Sequence, residues 1–197
     1  MTINQSINQL INKLKIAGLL TALTLTACVS SKAAPEKTYY VLQTRSEAAA
    51  PAVSGTPKVS IRRVKLPSYL NQQGITRLLP NGKANVSSTD LWAEKLSQAI
   101  PTLLAENLSR QLQSPVEIHP LPPSIRVNSV IEVNISRFIG DKDNLHLKGS
   151  YRLVKPQQLR TYQFATQVPL ADNQTRTLVD AYATAISQLS QAIAGHL

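Results

Sequence analysis

Between Ile131 and Val168 the chain alternates apolar and polar residues in three successive runs. Ile131, Val133 and Ile135 alternate with Glu132, Asn134 and Ser136. Leu145, Leu147, Tyr151 and Leu153 alternate with His146, Lys148, Ser150 and Arg152. Tyr162, Phe164 and Val168 alternate with Gln163, Ala165 and Gln167. A period of two is that of a strand, whose successive side chains point to opposite faces. The stretches between, "GDKDN" and "KPQQ", read as turns, so the runs predict an antiparallel meander with one apolar and one polar face.

An apolar sheet face has to be covered, and two segments have the pattern to cover it. Trp92, Leu96, Ile100, Leu103, Leu104, Leu108 and Leu112 recur every three or four residues, the stripe of a helix. Asp90 reads as its N-cap, with Glu94 a little further in. Pro101 lies inside the stripe and removes one backbone hydrogen bond, so a kink or a split is expected there. Leu178, Tyr182, Ala185, Ile186, Leu189 and Ile193 form a second stripe in a helix predicted from about Gln174. The fold class expected is α+β: an antiparallel or mixed sheet with two long α-helices packed on one face.

Shorter strands precede the meander. Tyr39–Gln43 reads as one. Val59–Leu66 reads as another with a change of phase, because Val59 and Ile61 have the opposite parity to Val64 and Leu66. One extra residue near Arg62 and Arg63, a β-bulge, reconciles them. Ile75–Leu79 and Ala84–Ser87 flank Pro80-Asn81-Gly82, a tight-turn sequence, and read as a hairpin. "LPSYLNQQGITRLL", Leu66 to Leu79, lies between strands and combines half-apolar residues with no evident chemistry. Tyr69, which follows a proline in a loop, reads equally well as an interface residue or as core.

The first residues have a different character. Lys13 and Lys15 precede a mostly apolar run from Ile16 to Leu25, the length of a signal-peptide core and short of the ~20 residues of a membrane span. Leu25-Thr26-Ala27-Cys28 then has the form of a lipobox, which makes Cys28 the expected lipidation site. Cys28 is the only cysteine among 197 residues. No internal disulfide can form, and diacylation would remove a lone reactive thiol from an oxidising compartment. The expected organisation is a lipoprotein signal peptide over 1–27, the lipidated cysteine and a tether over 28–38, and a single domain over 39–197. The ten residues Val29 to Thr38 would reach at most about 35 Å when extended.

Cleavage before Cys28 would leave nineteen basic residues against eleven acidic ones, a formal charge of +8. In an exported protein the counterpart is an anionic lipid surface or an acidic partner rather than nucleic acid. The cations are scattered along the chain, which also suits a generally solvated basic surface. Catalytic patterns are lacking. His119, His146 and His196 have no carboxylate or second histidine at ligand spacing, and there is neither a nucleophile elbow nor a glycine-rich phosphate loop. Glu94 and Glu106 are too far apart to form an obvious catalytic pair. The reading is a non-enzyme with no metal and no cofactor.

Several short stretches, in order, carry a family resemblance. "TYYVLQT" follows the lipobox, with Tyr39, Tyr40 and Leu42. "VSIRRVKLPSYLNQQGITRLL" contains Leu66, Pro67, Tyr69, Leu70, Asn71, Ile75 and Arg77. "DLWAEKLSQAIPTLLAENLSRQL" contains Trp92, Ala93, Glu94 and Leu96. With "VIEVNISRF", "LHLKGSYRLV" and "AISQLSQAIAGHL", the order and spacing resemble the ABC-type transport auxiliary lipoproteins, the PqiC-like or YmbA-like family. The chain departs from the family at Asn71-Gln72-Gln73, where members often carry an aspartate–arginine pair. The resemblance implies an outer-membrane lipoprotein facing the periplasm, a non-catalytic adaptor for an MCE-domain protein in intermembrane lipid transport, with assembly into a homo-oligomeric ring. It implies a partner surface that includes Leu66, Pro67, Tyr69, Leu70 and Arg77. A lipid-binding carrier, or another envelope-assembly lipoprotein, is the alternative.

Overall fold

A computed structural model describes residues 34–43 and 53–197. Cys28, the proposed signal peptide and most of the tether lie outside the described residues. From Glu36 onward the chain forms one compact unit. Its eight strands are β1 (Thr38–Tyr40), β2 (Val59–Lys65), β3 (Gly74–Leu78), β4 (Ala84–Trp92), β5 (Val116–Ile118), β6 (Ser129–Gly140), β7 (Asn144–Lys155) and β8 (Gln158–Pro169). Its two α-helices are α1 (Leu96–Leu112) and α2 (Thr175–Ala194).

The meander forms as its alternation predicts. β6, β7 and β8 pair antiparallel, with Val133 opposite Tyr151 and Tyr151 opposite Tyr162. Each strand is longer than its alternating run; β6 resumes after a register shift between Ile135 and Arg137 with buried Phe138, Ile139 and Gly140. The rest of the sheet makes it mixed: β2 and β3 both run parallel to β6, β5 runs parallel to β2, and β1 runs parallel to β4. The expected bulge in β2 is present, as a register shift between Ile61 and Arg63. The hairpin of β3 and β4 pairs Leu78 with Ala84, and Gly82 takes a φ of 78° in its turn, the left-handed region that favours glycine. β5 has no counterpart in the sequence reading; its three residues are too few for a visible period.

Both helices lie on the apolar sheet face. Ile100, Leu104, Leu108, Ala185, Ile186 and Ile193 are fully buried, as are Ile131, Phe138 and Leu145 on the sheet beneath. Two expectations about α1 are corrected. Asp90 does not cap it: Asp90, Leu91 and Trp92 are the end of β4, held as strand by parallel pairing with Thr38, Tyr39 and Tyr40. The helix begins at Leu96, and Lys95 stands at its N-cap without a side-chain bond. Trp92 is therefore a strand residue and Glu94 precedes the helix, although Trp92 is still buried, edge-on to Tyr182 with ring centroids 5.3 Å apart. The pairing that decides this comes from residues more than fifty positions away, which a helical period cannot report. Nor does Pro101 divide the helix, which runs unbroken through it. The bond lost there is a single one near the first turns, and the buried leucines on either side hold the element together.

Candidate functional site

β2 and β3 lie end to end along the same edge of β6. Lys65 is opposite Asn134, and Arg77 is opposite Gly140. β2 and β3 thus bracket a detour: twelve positions from 65 to 77 where β6 advances six, from 134 to 140. The surplus is the Leu66–Gln73 turn. Pro67 stops the strand, since its ring removes a ladder donor. Ser68–Asn71 then forms one 3-10 turn, closed by the Leu70 N–H on the Pro67 carbonyl at 3.0 Å.

The detour leaves part of the β6 edge without a neighbouring strand, and two tyrosines take the strand's place. The N–H of Phe138 donates to the Tyr69 hydroxyl at 2.8 Å, and the Tyr182 hydroxyl donates to the Phe138 carbonyl at 3.2 Å. Backbone donors and acceptors buried here would otherwise be unsatisfied. Burial pushes both phenols above their ordinary value, Tyr182 strongly. Tyr69 is partly buried against the core, and Leu70 is 4% exposed. Leu66 also packs on the core and Pro67 is half-buried. Arg77 turns toward α2, where one guanidinium nitrogen donates to the carbonyls of Asn173 and Gln174 at 3.0 and 2.8 Å. Burial pulls this guanidinium below its ordinary value, with Tyr182, Asp90 and Asp172 acting in the opposite sense. Of the five residues named from the sequence, Leu66, Tyr69 and Leu70 hold the turn on the core, Pro67 starts it, and Arg77 ties the following strand to the start of α2.

Besides Ser68, the turn presents Asn71, Gln72 and Gln73 outward, all exposed. They were missed as site candidates. The available signal was their polarity between Leu70, which is buried, and Ile75, also buried. They line one wall of a hollow of about 750 Å³. Its other wall is Ala93, Glu94, Lys95, Ser97 and Gln98, and its floor is Leu70, Trp92 and Leu96. Two separate motifs line this hollow, and the Tyr39–Leu42 stretch is bonded to one of its lining residues, Ala93. The Trp92 N–H donates to the Gln73 carbonyl at 2.8 Å, and the Ala93 N–H donates to the Tyr40 carbonyl at 2.8 Å. Gly74 makes the approach possible: a Cβ there would stand 2.2 Å from the Ser87 carbonyl oxygen.

Asp90 does its work at the other helix. Its carboxylate accepts from the Thr175 hydroxyl at 3.0 Å, at the first residue of α2, and from the Tyr40 hydroxyl at 3.3 Å. A negative charge is stabilised at that end of a helix. Asp172 also serves the start of α2, where the Gln174 N–H donates to it at 2.9 Å; its hydrogen bond from Thr177, then that of Gln174, holds its carboxyl below the usual carboxylate range.

The histidines have structural neighbours. His119 lies 3.1 Å from the Ser60 hydroxyl, His146 lies 2.7 Å from the Asp141 carboxylate, and His196 lies 2.6 Å from the Tyr151 hydroxyl. Among the described residues no group of three His, Cys, Asp or Glu side chains is placed to hold a metal ion, and no helix is long and apolar enough to cross a membrane. The hollow offers amides, one carboxylate, one ammonium and an apolar floor. That set can make hydrogen bonds and a packed contact with a partner.

Residues 40–194 match the family described as the ABC-type transport auxiliary lipoprotein component, and the chain belongs to that family. No curated protein matches it. The crystal structure of an uncharacterized protein has the same fold, with a TM-score of 0.69 and 22% identity over 82% of this chain and 99% of the other. Protein XCC0632 from Xanthomonas campestris aligns at a TM-score of 0.60 and 13% identity, over 80% of this chain and 93% of its own. At these identities the likeness concerns the fold alone. A PelC dodecamer from Paraburkholderia phytofirmans aligns at a TM-score of 0.40 and 9% identity, over 72% of this chain and 92% of its own, too remote to bear on this chain's assembly.

Proposed function

We propose that this transport auxiliary lipoprotein is anchored through lipidated Cys28 in the outer membrane, faces the periplasm, and serves as a non-catalytic adaptor for an MCE-domain protein of an intermembrane lipid transport system. The observation that supports the reading is one hollow lined by two of the motifs, Leu70–Gln73 and Trp92–Leu96, with the third bonded to its wall through the Ala93 N–H and the Tyr40 carbonyl. Leu70 lines that hollow, Leu66, Pro67 and Tyr69 belong to the turn beside it, Arg77 ties the following strand to the start of α2, and Asn71–Gln73 with Glu94, Lys95 and Gln98 form the rim that a partner touches. Assembly of several copies into a ring around the end of the MCE protein belongs to the same reading. A closed core favours an adaptor over a carrier: the side of the sheet where a lipid would lie is filled by α1 and α2, with Ile100, Leu104 and Ile186 at 0% exposure.

The test is co-purification with a co-expressed MCE-domain protein. Gln72→Glu with Gln98→Glu places two carboxylates on exposed rim positions. Loss of the MCE protein from the eluate, with an unchanged melting temperature, supports the reading. Retention of the partner at the wild-type ratio removes the hollow from the interface.

A further inference from the structure

The helices cover one face of the sheet; the other face carries cations in register. On it, Arg63, Glu132, Arg152 and Thr161 form one row across β2, β6, β7 and β8. Lys65, Asn134, Ser150 and Gln163 form the next. Arg137 and Lys148 then stand directly opposite each other, both exposed. Like charges directly opposite on an antiparallel pair are destabilising. The only carboxylate in these three rows, Glu132, is engaged with Arg62 at 3.2 Å and Arg152 at 2.8 Å. Among the described residues no carboxylate pairs with Arg63, Lys65, Arg137 or Lys148.

Between the cations lies a hollow of about 450 Å³, whose lining includes Asn134, Ser150 and Thr161. Amide and hydroxyl donors beside guanidinium and ammonium groups match the oxygens of a phosphodiester. The row on the other side of Glu132 is apolar over three strands, with Val130 opposite Val154 and Val154 opposite Leu159, and continues as Ser60 on β2 and Glu117 on β5, at the far end from Leu159. Leu159 is 60% exposed at the edge of the sheet.

We propose that this open sheet face docks on an anionic membrane surface, with its cations on lipid phosphates and Leu159 in the headgroup layer beside them. A surface with cations next to an exposed apolar residue has the composition of interfacial binding. The assignment rests on membership of a lipoprotein family, which keeps the domain near a bilayer, and does not depend on the MCE partner. Lipid anchor and basic face would then be two membrane signals acting together.

The experiment is vesicle flotation of the full chain carrying Cys28→Ser, so that no lipid anchor contributes. Phosphatidylcholine vesicles give the baseline, since the N-terminal apolar segment is common to every variant. Addition of phosphatidylglycerol should raise binding, and high salt should cancel the increase. Arg63→Gln, Lys65→Gln and Lys148→Gln together should weaken the anionic component on the order of a hundredfold, at about a fivefold loss for each cation removed. Lys83→Gln, Arg126→Gln and Lys142→Gln remove the same charge elsewhere and should cost far less. Leu159→Asn should weaken vesicle binding and leave capture by poly-glutamate unchanged. Equal losses in the two triple variants overturn the proposal, as does equal binding to neutral and anionic vesicles. Retention on poly-glutamate at a salt concentration that releases the vesicles would assign the face to an acidic protein instead. Co-purification of the MCE protein is a separate readout, so a failure here leaves the adaptor reading standing.

Discussion

Tyr69 and Tyr182 hold the two polar groups of a single residue. Tyr69 accepts the Phe138 N–H at 2.8 Å, and Tyr182 donates to the Phe138 carbonyl at 3.2 Å. Tyr69 comes from the turn between β2 and β3, and Tyr182 from the middle of α2. Together they complete the β6 edge where the chain detours, and they tie the turn, the sheet and the helix to one point.

Removal of either hydroxyl leaves a backbone group of Phe138 unsatisfied. Tyr69→Phe and Tyr182→Phe should each cost about 1–3 kcal/mol. Because both act on Phe138, the double variant should depart from the sum of the two. Urea unfolding of the four proteins measures this; midpoints that all coincide would mean that neither bond contributes.

Leu70 and Gln72, two positions apart, should respond oppositely. Leu70→Ala removes a side chain that is 4% exposed, and should cost about 2–5 kcal/mol. Gln72→Arg, at an exposed position, should change stability by less than about 0.5 kcal/mol. Thermal melts separate the two; a stable Leu70→Ala protein would mean that the turn is not held by the core.

The glycines separate close approach from conformation. Gly74→Ala would place a Cβ 2.2 Å from the Ser87 carbonyl oxygen, which is backbone and cannot swing away. A loss of at least about 3 kcal/mol is expected. Gly82→Ala has open space around it and meets only its φ of 78°, for about 1–2 kcal/mol. Denaturant midpoints should rank the two variants in that order.

Acid and alkali should act through different residues. Burial raises the Asp141 carboxyl, but hydrogen bonds from His146, Asn144 and Asp143 outweigh it and hold the group below its ordinary 3.8. The folded state then keeps Asp141 ionised where the unfolded chain binds a proton. The stability it contributes is full above 3.8 and is lost as pH falls through the depressed folded value. Asp141→Asn should flatten the acid limb of a urea-midpoint titration. At the other end, burial raises Tyr40, Tyr69, Tyr151 and Tyr182 above 10.0. The unfolded chain ionises first, so stability should fall as pH rises above 10. Tyr69→Phe should reduce that slope, and an unchanged slope would exclude Tyr69 from it.

Much of this architecture was readable residue by residue. The three alternating runs became β6, β7 and β8; the phase change at Arg62 became a bulge; the leucine stripes became α1 and α2. These are local signals, because each depends on which way neighbouring side chains point along one element. The errors were equally specific. Asp90 has every local attribute of a helix cap, yet it ends a strand and serves the start of the other helix, because Thr38–Tyr40 pairs with it and Thr175 reaches it. The bond of Tyr69 to Phe138 follows only from β2 and β3 sharing one edge of β6.

The same division holds for the candidate sites. Order and spacing of short motifs were enough to point to the family, since they are properties of the chain. That two of those motifs line one hollow, and that cations scattered from Arg62 to Arg152 gather in rows on one face, follows from strand register. Register is set by pairings between distant segments, and a one-residue shift would send the same side chains to the opposite face. Periodicity thus decides which residues are buried within an element, and tertiary pairing decides which exposed residues become neighbours.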